Sequence, residues 1–220
     1  MTPTRAHFTK QLTQLAEDVL HLGSMARHAV AQAMQALVTA DADLAREVIA
    51  ADPALNRLRY DIEGECYTLL ATEQPVARDL RGIVSALTIS QDLERIGDHG
   101  KKIARICLRM RSESRSLPFG DVPRIGEMSL SMLDRALAAY ASDDTAAAQA
   151  VCQSDDDVDA LYKQTFNVVL SYMLEYPRLI GAGTQLLQAM HELERVADRA
   201  TNVAERVIYS VTGELIDLNR

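Results

Sequence analysis

The chain contains a copy of itself, and no other feature constrains its fold so tightly. Leu93-Glu94-Arg95-Ile96-Gly97-Asp98-His99 returns 100 residues later as Leu193-Glu194-Arg195-Val196-Ala197-Asp198-Arg199. Upstream, Leu55, Asn56 and Leu58 match Val158, Asp159 and Leu161 at an offset of 103, and Pro75 matches Pro177 at 102. The drift falls where loops tolerate it. A chain of 220 residues built this way is expected to fold as two tandem units of one plan.

The first long segment supplies the period of that plan. Phe8, Leu12, Leu15, Val19, Leu22, Ala26, Ala29, Ala33 and Ala36 step by four and three throughout. Such spacing predicts a helix with one buried seam lying nearly antiparallel to a neighbour, and the alanines predict close approach of that neighbour's backbone. A helix is expected over about 5–39, with Asp41 or Asp43 as N-cap of a second over about 43–73. Proline cannot donate the bond to residue 49, so the second helix is expected to kink or restart at Asp52-Pro53. Gln74-Pro75 closes it. A third is expected over about 76–111, on the stripe Leu80, Ile83, Val84, Leu87 and a second seam at Leu93, Ile96 and Ile103.

The polar stretch SESRSLPFGD then interrupts the pattern, which restarts with helices expected over about 122–142, 144–175 and 178–212. Tyr176-Pro177 ends the fifth and Gly213 the sixth. Period-2 alternation never persists, so strands are not expected. The expected fold is all-α: six helices as two tandem, pseudo-symmetric three-helix bundles over 1–112 and 122–220, joined by a linker at 113–121.

Composition narrows the function classes. Ten glycines and six prolines leave few turns, and 48% hydrophobic content is ample for a core. A net charge of −8 with no Lys/Arg cluster argues against a nucleic-acid partner. No apolar run of signal-peptide or membrane-spanning length is found. Cys66, Cys107 and Cys152 are odd in number and share no CxxC spacing, so they read as buried free thiols in a reducing cytoplasm.

The unusual feature is acid on an apolar face. Glu94 and Asp98 lie four apart, within about 40° of the direction of Leu80, Ile83 and Leu87, so a stripe that starts apolar ends acidic. Glu194 and Asp198 repeat this behind Ile180 and Leu187. On a surface, like charges at this spacing cost about 0.2–0.5 kcal/mol; in a desolvated seam an uncompensated carboxylate requires a cation. The preceding helices carry a second pair each, Asp52 with Asn56 and Asp155 with Asp159. Asn56 and Glu94 are equidistant from Pro75, as are Asp52 and Asp98; Asp159 with Glu194 and Asp155 with Asp198 share a midpoint beside Pro177. Antiparallel hairpins therefore bring Asp52, Asn56, Glu94 and Asp98 to one height, and Asp155, Asp159, Glu194 and Asp198 to another. All-oxygen ligands suit a divalent or trivalent cation such as Mg, Mn or Fe, with Zn admissible but preferring His or Cys. Asp155 and Asp159 continue a core seam through Tyr162, Phe166, Val169 and Met173, whereas the first-half run is more polar.

A plainer reading stands beside this one. Arg95, Lys101 and Lys102 lie within a turn of Asp98, Arg195 within a turn of Asp198, and Asp52 before Pro53 could serve as an N-cap. The run Asp155-Asp156-Asp157 also suits a solvated helix start. His21 and His28 fit a polar face opposite the seam, whereas His99 and His191 border the acid clusters and are candidates to support them.

The doubled Leu-Glu-Arg-(Ile/Val)-(Gly/Ala)-Asp, the continuation Ala200-Thr201-Asn202-Val203-Ala204-Glu205 and the loop Pro75-Val76-Ala77-Arg78-Asp79-Leu80-Arg81 closely resemble the PhoU family, over roughly residues 8–212. The resemblance implies a cytoplasmic accessory protein of a high-affinity phosphate transporter that holds the phosphate-starvation response off. It also implies contacts with the transporter's ATPase subunit and a sensor histidine kinase, peripheral association with the membrane only through such partners, and a homodimer. Some members bind metal clusters through E(D)xxxD motifs, which map onto Glu94/Asp98, Glu194/Asp198, Asp155/Asp159 and, with Asn in place of the last Asp, Asp52/Asn56. Asn56 and the Lys102–Arg105 continuation depart from that pattern.

The leading reading is a regulatory adaptor without catalytic turnover, since neither a nucleophile–base pair nor a phosphate-cradling Gly-rich loop is found. A di-metal carboxylate oxidase or ferritin-like bundle is the enzymatic alternative. It requires inward Glu-x-x-His pairs, which the acidic motifs lack. A purely structural coiled-coil adaptor with every acid ion-paired is the third.

Overall fold

The computed structural model describes residues 5–110 and 120–215; the expected linker, apart from Gly120 and Asp121, lies outside the described residues. The chain is all-α, two tandem pseudo-symmetric bundles. Its helices are α1 (Arg5–Thr39), α2 (Ala42–Glu73), α3 (Ala77–Arg109), α4 (Val122–Ser142), α5 (Thr145–Cys152), α6 (Asp155–Glu175) and α7 (Ile180–Thr212). A 3-10 turn, Pro177–Leu179, joins α6 to α7.

The local signals act as their chemistry dictates. The Asp41 carboxylate accepts from the Asp43 and Leu44 amides at the start of α2, and Asp144 caps α5 in the same way. Gly213 closes α7 in the left-handed conformation (φ 81°) that glycine adopts at little cost, its amide bonded to the Tyr209 carbonyl. On α1, Phe8, Leu15, Val19, Leu22, Ala26, Ala33 and Ala36 are buried as the heptad spacing requires. All three thiols are free and buried.

Two expectations about continuity are corrected. α2 runs through Pro53 without restarting. Pro53 is exposed, so water can take the carbonyl that its missing N–H frees. The corresponding helix of the second half, expected over 144–175, does break, at Gln153-Ser154, without any proline. Arg135 of α4 compensates: its guanidinium donates to the Ala150 carbonyl (2.6 Å) and to Ser154 Oγ (3.0 Å). The three aspartates at the head of α6 favour the new helix start. A third correction concerns the stripe: Ile83 is buried, but Leu80, Val84 and Ile180 are exposed near the hairpin ends.

α1, α2 and α3 pack on one another, as do α4 to α7, and α3 lies along α7 while α1 touches α4. One apolar core runs through both halves. The helices bearing the duplicated motif therefore form the seam between the repeats. No helix among the described residues is long and apolar enough to cross a membrane.

Candidate functional site

The second acid cluster is built by α6 and α7. Asp155 stands in the first turn of α6 and Asp159 one turn on, while Glu194 and Asp198 share a face of α7. The hairpin brings the four together, as their mutual electrostatics record. Burial, then Asp198, Asp159 and Glu194, push the Asp155 carboxyl from 3.8 up to about 6. Glu194 is raised by burial and then by Asp198. Asp198 is raised by burial, with Asp159 adding to the shift and Arg195 opposing it.

Local cations reach this cluster from its rim. Arg195 donates to Asp198 (3.0 Å), and the exposed Lys163 donates to Asp159 (3.1 Å). His191 Nδ1 lies 3.2 Å from Glu194 Oε2 and so borders the cluster as expected, but that buried oxygen accepts no hydrogen bond among the described residues. Asp155 makes no ion pair among them either. Among the described residues no three His, Cys, Asp or Glu groups already stand close enough to grip one ion.

The first cluster follows the same plan with one carboxylate fewer, and one of its cations lies inside it instead of at the rim. Lys101 Nζ donates to Asp52 Oδ2 at 2.5 Å and lies 3.9 Å from Asp98 Oδ1, an ammonium between the two helices. Asn56 Nδ2 adds a hydrogen bond to the same Asp52 oxygen (3.2 Å), so Asp52 acts as an ion-pair partner and not as an N-cap. Arg95 stands near both Glu94 (3.7 Å) and Asp98 (3.6 Å). Burial and then Asp98 raise the Glu94 carboxyl. In the second half the position matching Lys101 is Thr201, a buried hydroxyl turned back to the Ala197 carbonyl (3.3 Å).

Removing the ammonium tests this contrast. Lys101→Met keeps the stem and leaves the buried Asp52 carboxylate with Asn56 alone, and should cost about 1–2 kcal/mol after discounting for the lysine's partial exposure. Urea unfolding would check it; a midpoint equal to that of the unsubstituted chain would show Lys101 to be dispensable to the cluster.

Two further sets of contacts, whose acids Asp92 and Glu192 were not singled out from the sequence, tie the two halves together. Arg199 donates to Asp92 Oδ1 (2.9 Å) and Asn202 reaches the same oxygen (3.4 Å). One repeat over, His99 Nδ1 is 2.6 Å from Glu192 Oε2, which also accepts from Lys102 (3.2 Å). These are the same pairs read twice: acid at 92 and 192, base at 99 and 199, polar donor at 102 and 202, each offset by 100. α3 and α7 thus meet about a pseudo-two-fold. Burial alone would raise the Glu192 carboxyl, but the hydrogen bonds and charges of His99 and Lys102 hold it below the ordinary range. His99 is thereby corrected from a supporter of the acid cluster to half of an inter-repeat tie. The signal was legible as an acid seven residues before a base, present in both copies. His21 and His28 are exposed, as a solvated face requires.

Known proteins share both the fold and its duplication. The family model described as PhoU domain matches residues 19–107 and again 122–207. A protein of Clostridium acetobutylicum described as a phosphate-specific transport system accessory protein PhoU homolog is 38% identical over 217 residues, covering 98% of this chain and 99% of its own. The homolog from Pseudomonas aeruginosa is 38% identical over 213 residues, covering 94% and 88%. The crystal structure of PhoU from Pseudomonas aeruginosa superposes with a TM-score of 0.90 at 36% identity, over 94% of this chain and 100% of that one. That of the phosphate transport system regulatory protein PhoU from Streptococcus pneumoniae gives 0.90 at 33%, over 96% and 99%.

Proposed function

The chain belongs to the PhoU family, and from that membership we propose that it serves as a non-catalytic accessory protein regulating a phosphate-specific transport system. The observation that carries the reading is the likeness to relatives of that description along nearly the whole chain, at 38% identity for the Clostridium acetobutylicum protein. In the finer form of the proposal the chain works in the cytoplasm, as a homodimer, between the transporter's ATPase subunit and a sensor histidine kinase. There it holds the starvation response off while phosphate is sufficient. Residues 1–112 and 122–220 act as its two repeats, joined at 113–121.

Metal enters this proposal through one repeat only. The α6–α7 residues supply the donors a cation needs, provided they draw closer together than they stand: Asp155, Asp159, Glu194 and Asp198 are partly buried oxygen donors, three of them with raised carboxyls, and one buried Glu194 oxygen lacks a hydrogen bond. A divalent or trivalent ion such as Mn, Mg, Fe or Zn would supply the charge that the rim cations provide only in part. The α2–α3 residues do not fit: Asp52, Glu94 and Asp98 share their space with the Lys101 ammonium, and Asn56 stands where a fourth carboxylate is needed.

Affinity capture tests the regulatory role. The tagged chain, recovered from cells grown with abundant and with scarce phosphate, is expected to bring down the transporter ATPase and the kinase, with recovery depending on phosphate. Capture of neither protein under either condition would overturn the proposal.

A further inference from the structure

A polar cleft of about 620 Å³ opens where the repeats meet, with α2 and α3 on one wall and α7 on the other. Arg59 and Arg95 face it from the first repeat, and Arg199 and Arg206 from the second. Three carboxylates, Asp92, Glu94 and Glu205, share the walls. In a chain of net charge −8, four guanidinium groups at one opening reverse the sign locally.

Those guanidiniums are held in place without being saturated. Arg59 lies over the Tyr60 ring, 3.9 Å from its centroid, and pairs with Glu63. Arg199 pairs with Asp92. Yet the Nε of each is buried without a hydrogen-bond acceptor, and Arg206 has no ion pair among the described residues. A buried N–H that has surrendered water and found no acceptor is costly to keep. The four arginines line the opening on both walls, where a multivalent oxyanion can take their accessible N–H groups.

We propose that this cleft binds a phosphate-bearing anion, whose oxygens take guanidinium donors from both repeats at once. The planar fork of arginine matches phosphate oxygens bidentately, and several forks converging from different helices favour a tetrahedral group with three free oxygens over a carboxylate with two. The volume falls within the ~300–1,000 Å³ of small-molecule sites. Thr88, Gln91 and Asn202 add neutral donors, and the acids on the walls can receive hydroxyl or amine hydrogens from the rest of a larger ligand. Free inorganic phosphate and a phosphorylated small molecule share this chemistry. Either one would bind across the α3–α7 seam, independently of the metal reading above.

Calorimetry on the full chain settles it, with protein and buffer stripped of metal and ionic strength held constant with chloride. Inorganic phosphate, pyrophosphate and ATP are titrated separately. The expected result is saturable one-to-one binding of at least one of them, weakened tenfold or more in Arg95→Gln/Arg206→Gln and unchanged in Glu194→Ala/Asp198→Ala. The double arginine variant leaves the Asp92–Arg199 and His99–Glu192 ties in place, and its melting temperature checks its folding; Arg59→Gln alone is the second variant, with the same expected loss. Tightest binding of inorganic phosphate identifies the free ion, whereas tighter ATP or pyrophosphate identifies a phosphorylated molecule. No saturable heat from any of the three up to millimolar concentration, or equal affinity in the arginine variants, overturns the proposal.

Discussion

Manganese or ferrous iron added at pH 7 is expected to raise the melting temperature of the chain, and Glu194→Ala/Asp198→Ala is expected to abolish the rise. A ligand bound only to the native state adds about 2.7 kcal/mol at a hundredfold excess over its Kd. For a chain of this size that corresponds to roughly 5–11 °C, at 2–4 °C per kcal/mol. The cause lies in Asp155, Glu194 and Asp198, whose raised carboxyls mean that folding is opposed by their ionisation. A raised acid holds its proton in the folded state while the unfolded chain has released it. Its stabilising contribution is therefore present at low pH, and for Asp155 it is lost as pH rises through the interval from 3.8 to about 6.

Two results should accompany the metal effect. Asp155→Asn should stabilise the chelator-treated protein at pH 7 by about 1 kcal/mol, the shift being discounted because the group is only half-buried. The metal-induced rise should also shrink below about pH 5, where protons compete for the same oxygens. An identical rise in the double variant would sink the assignment of these four residues.

Gly100→Ala is expected to cost about 1–3 kcal/mol, and Gly100→Val more, because there is no room for a side chain where α3 crosses α1. A Cβ at position 100 would stand 2.9 Å from the Ala29 carbonyl carbon and from the Val30 amide nitrogen, both backbone atoms that cannot rotate away. Relief requires moving α1, whose seam of Ala26, Ala33 and Ala36 is fully buried. Gly82→Ala on the same helix should have the opposite sign, gaining about 0.5–1 kcal/mol, since nothing lies within 4 Å of its added methyl. Gly97→Ala should fall between them: its Cβ would meet the end of the Leu55 side chain, which can shift. The second repeat carries the complementary choice at these positions, Ala197 with the smaller Val158. Urea midpoints at constant m-value would read all three; equal midpoints for the alanine variants at 82 and 100 would show that the close approach carries no weight.

Much of the candidate site was readable because it depends on counting along a helix. Glu94 and Asp98 share a face wherever the helix goes, and a tight antiparallel hairpin brings residues equidistant from its turn to one height. That sufficed to group Asp155, Asp159, Glu194 and Asp198. It did not suffice to tell the two clusters apart. Lys101 was legible as a neighbour of Asp98, three residues away, yet its closer partner is Asp52 on another helix, 2.5 Å from its nitrogen. Lys102, one residue later, points instead to Glu192 across the repeat seam. Pro53 was given too much weight, because its effect depends on whether water reaches the freed carbonyl; the break at Gln153-Ser154 needed Arg135 from another helix to complete it.

The sequence by itself determined five of the expected helices, their duplication and the height of each acid along its hairpin, because these follow from residue spacing, helical rise and turn position within single segments. Only the tertiary structure decided that Lys101 lies between Asp52 and Asp98 while the second cluster meets its cations at the rim, how Asp92 and Glu192 lock the repeats together, and that four arginines meet at one cleft. The physical reason is that ion pairing and desolvation depend on the rotation of one helix against another. An error of one residue in that rotation turns a side chain by about 100°, enough to exchange a partner for solvent.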